Sequence, residues 1–133
     1  MKLITVLAVA VTMVAMSSCK KTYDHPGNTY PPRNVQFELY TNQDFSEDSH
    51  NITFNLQIES GGKVIFDSAL APMKIQDIPN ELNKIIIQKS VPQNDPSRLK
   101  VGFVYQIENV GMSWHFEEFP SSDSFKVVKF DFR

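Results

Sequence analysis

The chain has 133 residues, a formal net charge of −2 and a sequence pI near 5.9. That length fits one domain of ordinary size, and a hydrophobic content of 41% is enough for a packed core. Without a basic excess the chain lacks the attraction to phosphate on which nucleic-acid binding depends, so no nucleic-acid partner is expected. A single cysteine excludes an intrachain disulfide and a cysteine-based metal cluster.

Residues 1–18, MKLITVLAVAVTMVAMSS, have the organisation of an export signal. Lys2 gives a short positive start, and the uncharged run 3–16 has the length of a signal-peptide apolar region, about 7–15 residues. This run is shorter than the roughly 20 residues that a membrane-spanning helix needs. We therefore predict a signal peptide over residues 1–18.

The next residue, Cys19, follows Met16-Ser17-Ser18, and this order resembles the lipobox of bacterial lipoproteins, with Met16 in place of the usual Leu. The resemblance implies that fatty acids such as palmitate are attached to the Cys19 thiol and to the new amino terminus. Each buried methylene contributes about 0.8 kcal/mol, so several acyl chains hold a protein on a bilayer. The alternatives are an ordinary signal peptide or a buried first helix with an incidental cysteine.

Lys20 and Lys21 follow the cysteine, and no Asp stands at the second mature position, where it would resemble an inner-membrane retention signal. We therefore expect a lipid-anchored protein of the outer membrane that faces the periplasm. Asp24 is the only acid in KKTYDH, so the acidic pattern of surface-exported lipoproteins is not matched, although surface display stays an alternative. Residues 19–34, rich in proline, read as the acylated cysteine and a linker that includes His25 and Tyr30 as solvated residues.

From Val35 the apolar pattern has a period of two, which is typical of half-buried strands. Seven strands are predicted, at 35–40, 51–60, 63–69, 84–91, 98–110, 113–119 and 124–133. Phe125 falls out of step in the last of them, which predicts a bulge near Val127. Ile75, Ile78 and Leu82 approach helical spacing, but the triple Ile that follows favours a strand, so at most one helical turn is expected there. The prediction is an all-β, antiparallel β-sandwich over residues 35–133.

The size and strand count resemble immunoglobulin-like domains without their disulfide. Residues 64–88, a strand leading to an Ile-Pro step and a second strand, also look similar to transthyretin-type sandwiches. The chain as a whole resembles small secreted lipoproteins of unknown function from Bacteroidota, and that resemblance implies no activity.

Catalytic, metal and cofactor signals are weak throughout the chain. Ser113 and His115 in GMSWH lack the second glycine of a nucleophile elbow and a positioned acid. His25, His50 and His115 do not have the spacing of zinc ligands. Residues 42–51 gather acidic oxygens without the order of a calcium-binding EF-hand loop, and a solvated hairpin loop is the simpler interpretation. We therefore predict no catalytic residue, no bound metal and no cofactor.

Asp67-Ser68-Ala69 resembles the O-glycosylation site of exported Bacteroidota proteins, so Ser68 is a candidate modification site beside the alternative of a polar strand end. Asp123 begins a poorer match, and Asn51 begins a eukaryotic sequon that a bacterial lipoprotein would not normally use. Among the aromatic residues, Trp114 and Tyr105 are in phase with apolar neighbours and are predicted in the core. Tyr40 lies on the polar phase and is predicted to be exposed.

These features favour a non-enzymatic, lipid-anchored sandwich that binds an envelope protein or glycan. One alternative is a small periplasmic hydrolase, or an accessory of one, whose site assembles from Asp44, Glu47, His50 or His115. Another is a subunit of a pilus or nutrient-uptake complex with an open sheet edge. A concave pocket joining two of those residues would favour the enzyme, and a filled core with one exposed flat face would favour the binding module.

Overall fold

The structure is a computed structural model that describes residues 30–92 and 95–133. The predicted signal peptide, Cys19 and linker residues 20–29, which include His25, lie outside the described residues. In the described part the chain forms eight strands: β1 (Asn34–Tyr40), β2 (Asn51–Ser60), β3 (Lys63–Ala69), β4 (Met73–Lys74), β5 (Ile85–Ser90), β6 (Leu99–Ile107), β7 (Gly111–Phe119) and β8 (Phe125–Asp131). No helix among these residues has the length and apolar character needed to cross a membrane.

All seven predicted strands are present, and β4 is an additional two-residue strand. The alternation in β2 works as expected, with Ile52, Phe54, Leu56 and Ile58 buried. Gly61 and Gly62 join β2 to β3, both with positive φ (58° and 78°). A two-residue hairpin turn with positive φ at both positions matches the twist of its strands, and glycine adopts it at little cost.

The strands form two sheets. The small sheet has the order β5-β1-β8, and the large sheet has the order β3-β2-β6-β7, with β4 also pairing with β2. Every pair is antiparallel except β1 with β8, which are parallel. The prediction of a wholly antiparallel sandwich is therefore wrong at this pair. Side-chain alternation is the same in both kinds of pair, so the sequence pattern does not distinguish them.

The core lies between the two sheets, and aromatic contacts join them. Phe37 of β1 meets Phe103 of β6 edge to face, with ring centroids 5.6 Å apart. Phe54 of β2 meets Phe130 of β8 at 6.4 Å. These rings belong to one cluster of buried residues from both sheets, which confirms the all-β, two-layer prediction.

The predicted bulge near Val127 is wrong. Pairing between β1 and β8 runs without a shift from Asn34 opposite Phe125 to Tyr40 opposite Asp131. Phe125 is out of phase because it lies on the outer, exposed side at the start of the strand. The register shift recorded in the large sheet lies instead between Ile58 and Glu59, where β2 pairs with β3.

The connection from β4 to β5 contains two short 3₁₀ turns, Ile75–Asp77 and Glu81–Asn83, where at most one turn was expected. Asn80 begins the second turn and accepts a hydrogen bond from the Asn83 backbone N–H. Of the three residues at near-helical spacing, Ile75 and Ile78 are buried and Leu82 is 94% exposed. The proline at 79 and the β-branched run after it prevent a continuous helix.

Tyr40 is only 8% exposed, so the prediction of an exposed ring is wrong. The β4–β5 connection runs beside the end of β1, where the Thr41 N–H donates to the Pro79 carbonyl at 2.9 Å. Burial raises the pKa of the Tyr40 hydroxyl above its ordinary value, and the Glu81 carboxylate adds to that shift. A loop distant in sequence therefore covers a position that the strand period alone assigns to solvent.

Arg33 fastens the start of β1 to two loops. It is 3% exposed, and its guanidinium donates to five backbone carbonyls: Asp95, Ser97, Phe119, Pro120 and Asp123, at 2.7–3.2 Å. Its Cζ also lies 3.9 Å from the centroid of the Phe119 ring. Burial lowers the pKa of the Arg33 guanidinium, and the carboxylates of Asp95 and Asp123 oppose that shift. All five N–H donors of the side chain are thus used.

The outer face of the small sheet carries a polar network around Glu38, with Ile86 and Phe125 about half exposed beside it. Lys84 Nζ donates to Glu38 Oε2 at 2.8 Å, and Gln36 Nε2 donates to Oε1 at 2.7 Å. Gln88 in turn donates to Gln36 Oε1 at 2.7 Å. The pKa of the buried Glu38 carboxyl is lowered, and the hydrogen bond from Lys84 is the largest cause. The carboxylate is buried at low cost because its oxygens are hydrogen-bonded and paired.

Replacing Arg33 with Met should lower the free energy of unfolding by about 3–5 kcal/mol, since the buried side chain is lost and five carbonyls, at buried or partly buried hydrogen bonds, lose their donors. Arg33→Lys should lower it by less, because an ammonium has three donors and no planar fork. Urea denaturation at neutral pH measures both. Arg98→Met is the matched control, because that exposed arginine lies 3.7 Å from Glu118, and its effect should stay within about 0.5 kcal/mol. Equal effects of the Arg33→Met and Arg98→Met substitutions would contradict the role given to Arg33.

Replacing Glu38 with Gln should lower the free energy of unfolding by about 1–3 kcal/mol at neutral pH. The folded-state pKa of Glu38 lies below its ordinary value, so its contribution is fully present above the ordinary carboxyl range. That contribution disappears as the pH falls through the lowered folded-state pKa. Urea denaturation across this range should show the wild type and Glu38→Gln converging at acid pH. Glu47→Gln, in an exposed loop, should track the wild type throughout, and a difference that does not depend on pH would refute the assignment.

Candidate binding face

The outer face of the large sheet is open to solvent over β2, β6 and β7, and we call it the open face. Its side chains alternate with the core residues of the same strands. They are Thr53, Asn55, Gln57 and Glu59 from β2, Lys100, Val104 and Gln106 from β6, and Met112, Trp114, Phe116 and Glu118 from β7. No described segment of the chain packs over Trp114 or Met112, each of which is 68% exposed.

Trp114 lies on the opposite side of β7 from the predicted one. Pairing with β6 places Trp114 beside Val104 on the open face, and it places His115 beside Phe103 on the core side. The His115 ring stacks on Phe130 with centroids 4.9 Å apart and planes 7° from parallel. The buried Phe119 lies on the same side of β7 as His115. An apolar residue at the end of the strand therefore indicated which side faces the core, and the prediction missed it. The core prediction holds for Tyr105, whose ring packs 5.3 Å from Phe130.

The side chains of β7 that point toward the core side include polar residues such as His115 and Glu117. They fit there because β7 is an edge strand and faces β8 at the side of the sandwich. Glu117 accepts a hydrogen bond from Lys126 Nζ at 2.7 Å, and its other oxygen lies 3.4 Å from His115 Nε2. Ser113 shares the phase of His115, as expected, but no hydrogen bond joins the two side chains within the described residues. The imidazole is held by an aromatic ring and a carboxylate that is already paired, which is a packing arrangement rather than an activated nucleophile.

An open depression of about 690 Å³ occupies the middle of the open face. Its lining residues are Gln57, Glu59, Lys100, Val104, Trp114, His115 and Phe116. Gly102 lies between Gln57 and Phe116 in the sheet, and the His115 carbonyl of β7 occupies the space where a side chain would be. A Cβ at this position would lie 1.9 Å from the His115 carbonyl oxygen, so the close approach of β7 requires glycine. A lone glycine inside a strand pattern is the sequence signal for such an approach.

Polar groups of both charges border this depression. Glu59 and Lys100 are directly opposite each other on β2 and β6, and Gln57 is opposite Gly102. Within the described residues, none of these three side chains forms a hydrogen bond or an ion pair with another side chain. The rim therefore offers an amide, a carboxylate and an ammonium that are available to a ligand.

The loop between β1 and β2 holds the acidic residues of the hydrolase alternative. Asp44, Glu47, Asp48 and His50 line a shallow depression of about 370 Å³, and His115 is not among its lining residues. Asp44 accepts from the Ser46 N–H and Asp48 accepts from the His50 N–H, each at 3.0 Å, which is how such residues close turns. The Ser46 hydroxyl and then its N–H lower the pKa of the Asp44 carboxyl, and the N–H and then the imidazole of His50 lower the pKa of the Asp48 carboxyl.

His50 Nδ1 lies 2.6 Å from Asp48 Oδ1, and this exposed pair is oriented by the turn itself. No hydroxyl bonds the imidazole within residues 30–92 and 95–133, so a base is present without a nucleophile to activate. No group of three or more His, Cys, Asp or Glu in those ranges is arranged to hold a metal ion.

Ser68, the candidate O-glycosylation site, is the penultimate residue of β3 at the edge of the large sheet. It is half-buried and pairs with Leu56, on the core side of the strand. Asp67 is exposed and accepts a hydrogen bond from Asn55 Nδ2 at 3.0 Å. Glycosylation of Ser68 stays a prediction.

The open face thus combines one exposed indole, a shallow open depression and a rim of mixed charge. Comparison of the chain with protein-family models, with curated proteins and with solved structures finds no match.

Proposed function

We propose that this protein is a non-enzymatic binding module, held on the outer membrane by an acylated Cys19, and that its open face contacts an envelope protein or glycan. The observation that carries the proposal is the contrast between the two outer faces. The small sheet carries the internally paired network around Glu38, with Ile86 and Phe125 about half exposed beside it, whereas the large sheet leaves Trp114 and Met112 each 68% exposed beside a depression. Large exposed apolar side chains rimmed by polar groups are typical of interaction sites.

The anchor part of the proposal is supported by the sequence of residues 1–19. A cleaved signal would make Cys19 the first residue of the mature chain, and residues 20–32 would separate it from Arg33. As a flexible coil, a linker of that length spans about 20 Å, and as polyproline it spans about 40 Å. Either length lets the domain stand clear of lipid headgroups.

For the fold type we propose an immunoglobulin-like sandwich, with a transthyretin-like arrangement as the alternative. The immunoglobulin-like reading is supported by the domain size, by two facing sheets of three and five strands, and by hairpin pairing of β6 with β7. The core is filled by phenylalanine and aliphatic residues where that fold often has a disulfide.

Capture from native envelopes tests the binding function. The acylated full chain, cross-linked in place, should recover a stoichiometric component, and Trp114→Ala should reduce that recovery by about tenfold, since exposed aromatic residues contribute most of the energy at such sites. Leu82→Ala is the matched control, because it also removes a large exposed apolar side chain, and recovery should be unchanged. Recovery that is kept with Trp114→Ala, or reduced equally by Trp114→Ala and Leu82→Ala, would refute the assignment to the open face.

Fractionation and intact mass test the anchor. The wild type should partition into the outer-membrane fraction with the mass of a chain starting at Cys19 plus its acyl groups. Cys19→Ser should move to the soluble fraction or keep its signal peptide, because no thiol accepts lipid. Any further hexose-sized increment should vanish in Ser68→Ala. A lipid increment alone would rule out the Ser68 modification, and an unacylated wild type would rule out the anchor.

A further inference from the structure

We infer that the depression over Gly102 binds a neutral glycan, with one pyranose ring stacked on Trp114. This inference rests on the proposed binding function of the open face and names the chemical class of its ligand. Four observations carry it: the position of the indole, the floor made by Gly102, the mixture of polar groups at the rim, and the charge balance of the face.

The indole of Trp114 is presented as a platform. Its neighbour across the sheet, Val104, is half-buried, so the base of the ring rests on an aliphatic side chain while 68% of the residue stays exposed. A pyranose ring carries C–H bonds on its faces and hydroxyls on its rim. Its C–H face packs on the electron-rich indole face, and its hydroxyls remain free to hydrogen-bond.

The depression beside this platform fits a chain of sugar rings. With no side chain at Gly102, backbone forms the floor between Gln57 and Phe116. The volume of about 690 Å³ lies in the range of small-molecule sites, and the depression is open along the face rather than enclosed. An open, shallow site of this kind admits an internal stretch of a longer glycan as well as its end.

The rim can both donate to and accept from hydroxyl groups. Gln57 offers an amide with donors and an acceptor, Glu59 offers two acceptor oxygens, and Lys100 offers three donors. Hydrogen bonds with a charged partner are stronger than neutral ones, so a hydroxyl between Glu59 and Lys100 is bound well without carrying charge itself.

The charges of the face favour a neutral ligand. Glu59 is opposite Lys100, and Glu118 Oε2 lies 3.7 Å from Arg98 Nε. Acidic and basic groups therefore alternate, and the face has no electrostatic potential of one sign. An anionic polysaccharide would meet Glu59 and Glu118, and a polybasic segment would meet Lys100 and Arg98. A protein partner would find one row of apolar side chains along β7, Met112, Trp114 and Phe116, with Val104 beside it, and this row is narrower than the apolar centre of a typical protein interface.

Intrinsic fluorescence gives a direct assay, because Trp114 is the only tryptophan in the chain. The full chain is titrated with neutral hexasaccharides of β-linked glucose, mannose and xylose and with α-linked glucose, and with polygalacturonate as the anionic comparison. At least one neutral hexasaccharide should shift the emission and bind, while polygalacturonate should bind at least tenfold more weakly.

Calorimetry then assigns the site, because it does not depend on the fluorophore. Trp114→Ala should weaken binding of that hexasaccharide by about tenfold or more, and Gln57→Ala by about threefold to tenfold. Leu82→Ala should bind as the wild type does, and thermal melting checks that all variants fold. Binding that survives Trp114→Ala would overturn the site.

The failure of this inference is distinguishable from failure of the proposed function. If no hexasaccharide binds while envelope capture still depends on Trp114, the ligand is a protein and the glycan assignment is wrong. If no hexasaccharide binds and capture is also independent of Trp114, the open face is not a binding surface at all.

Discussion

The guanidinium of Arg33 is the interaction on which the arrangement of the sandwich depends most. It uses all five of its donors on carbonyls from two loops that are 62 to 90 residues away in sequence. These loops lead into β6 and β8, so one side chain fixes where β1 begins relative to both sheets. The parallel pairing of β1 with β8 begins at the next residue along the chain, because Asn34 is opposite Phe125. A lysine has too few donors and the wrong geometry to replace it.

The two outer faces of the sandwich have opposite characters for a physical reason. In the small sheet, the long side chains of Lys84, Gln36 and Gln88 satisfy the oxygens and amides around Glu38, so the polar groups at the centre of this face are internally hydrogen-bonded. In the large sheet, Gly102 allows the backbone of β7 to come close to β6, and Trp114 lines the open depression on this face. A surface that has satisfied its own polar groups gains little from a ligand, whereas one with available donors, acceptors and an exposed indole gains more.

Several parts of the fold were predictable because they depend on local chemistry. Period-two alternation located seven strands, and two consecutive glycines located the β2–β3 turn, because only positive φ at both positions closes that hairpin. The errors share a different cause. The predictions put Trp114 in the core and Tyr40 in solvent, and they put a bulge near Val127. All three were wrong because edge strands and covering loops decide which side of a strand is buried. Of the candidate site, the lone glycine at 102 was visible in the sequence, but its neighbours on β2 and β7 were not.

The sequence by itself determined the all-β fold class, and it is the basis of the predicted export and lipid attachment at residues 1–19, because both depend on residues close together in the chain. Only the tertiary structure decided that β1 runs parallel to β8, that Arg33 joins two distant loops, and that Trp114 faces solvent beside Gly102. Those features depend on strand pairing over long sequence separations. Alternation of side chains specifies that a strand has two faces, and the pairing of the strand decides which face is covered.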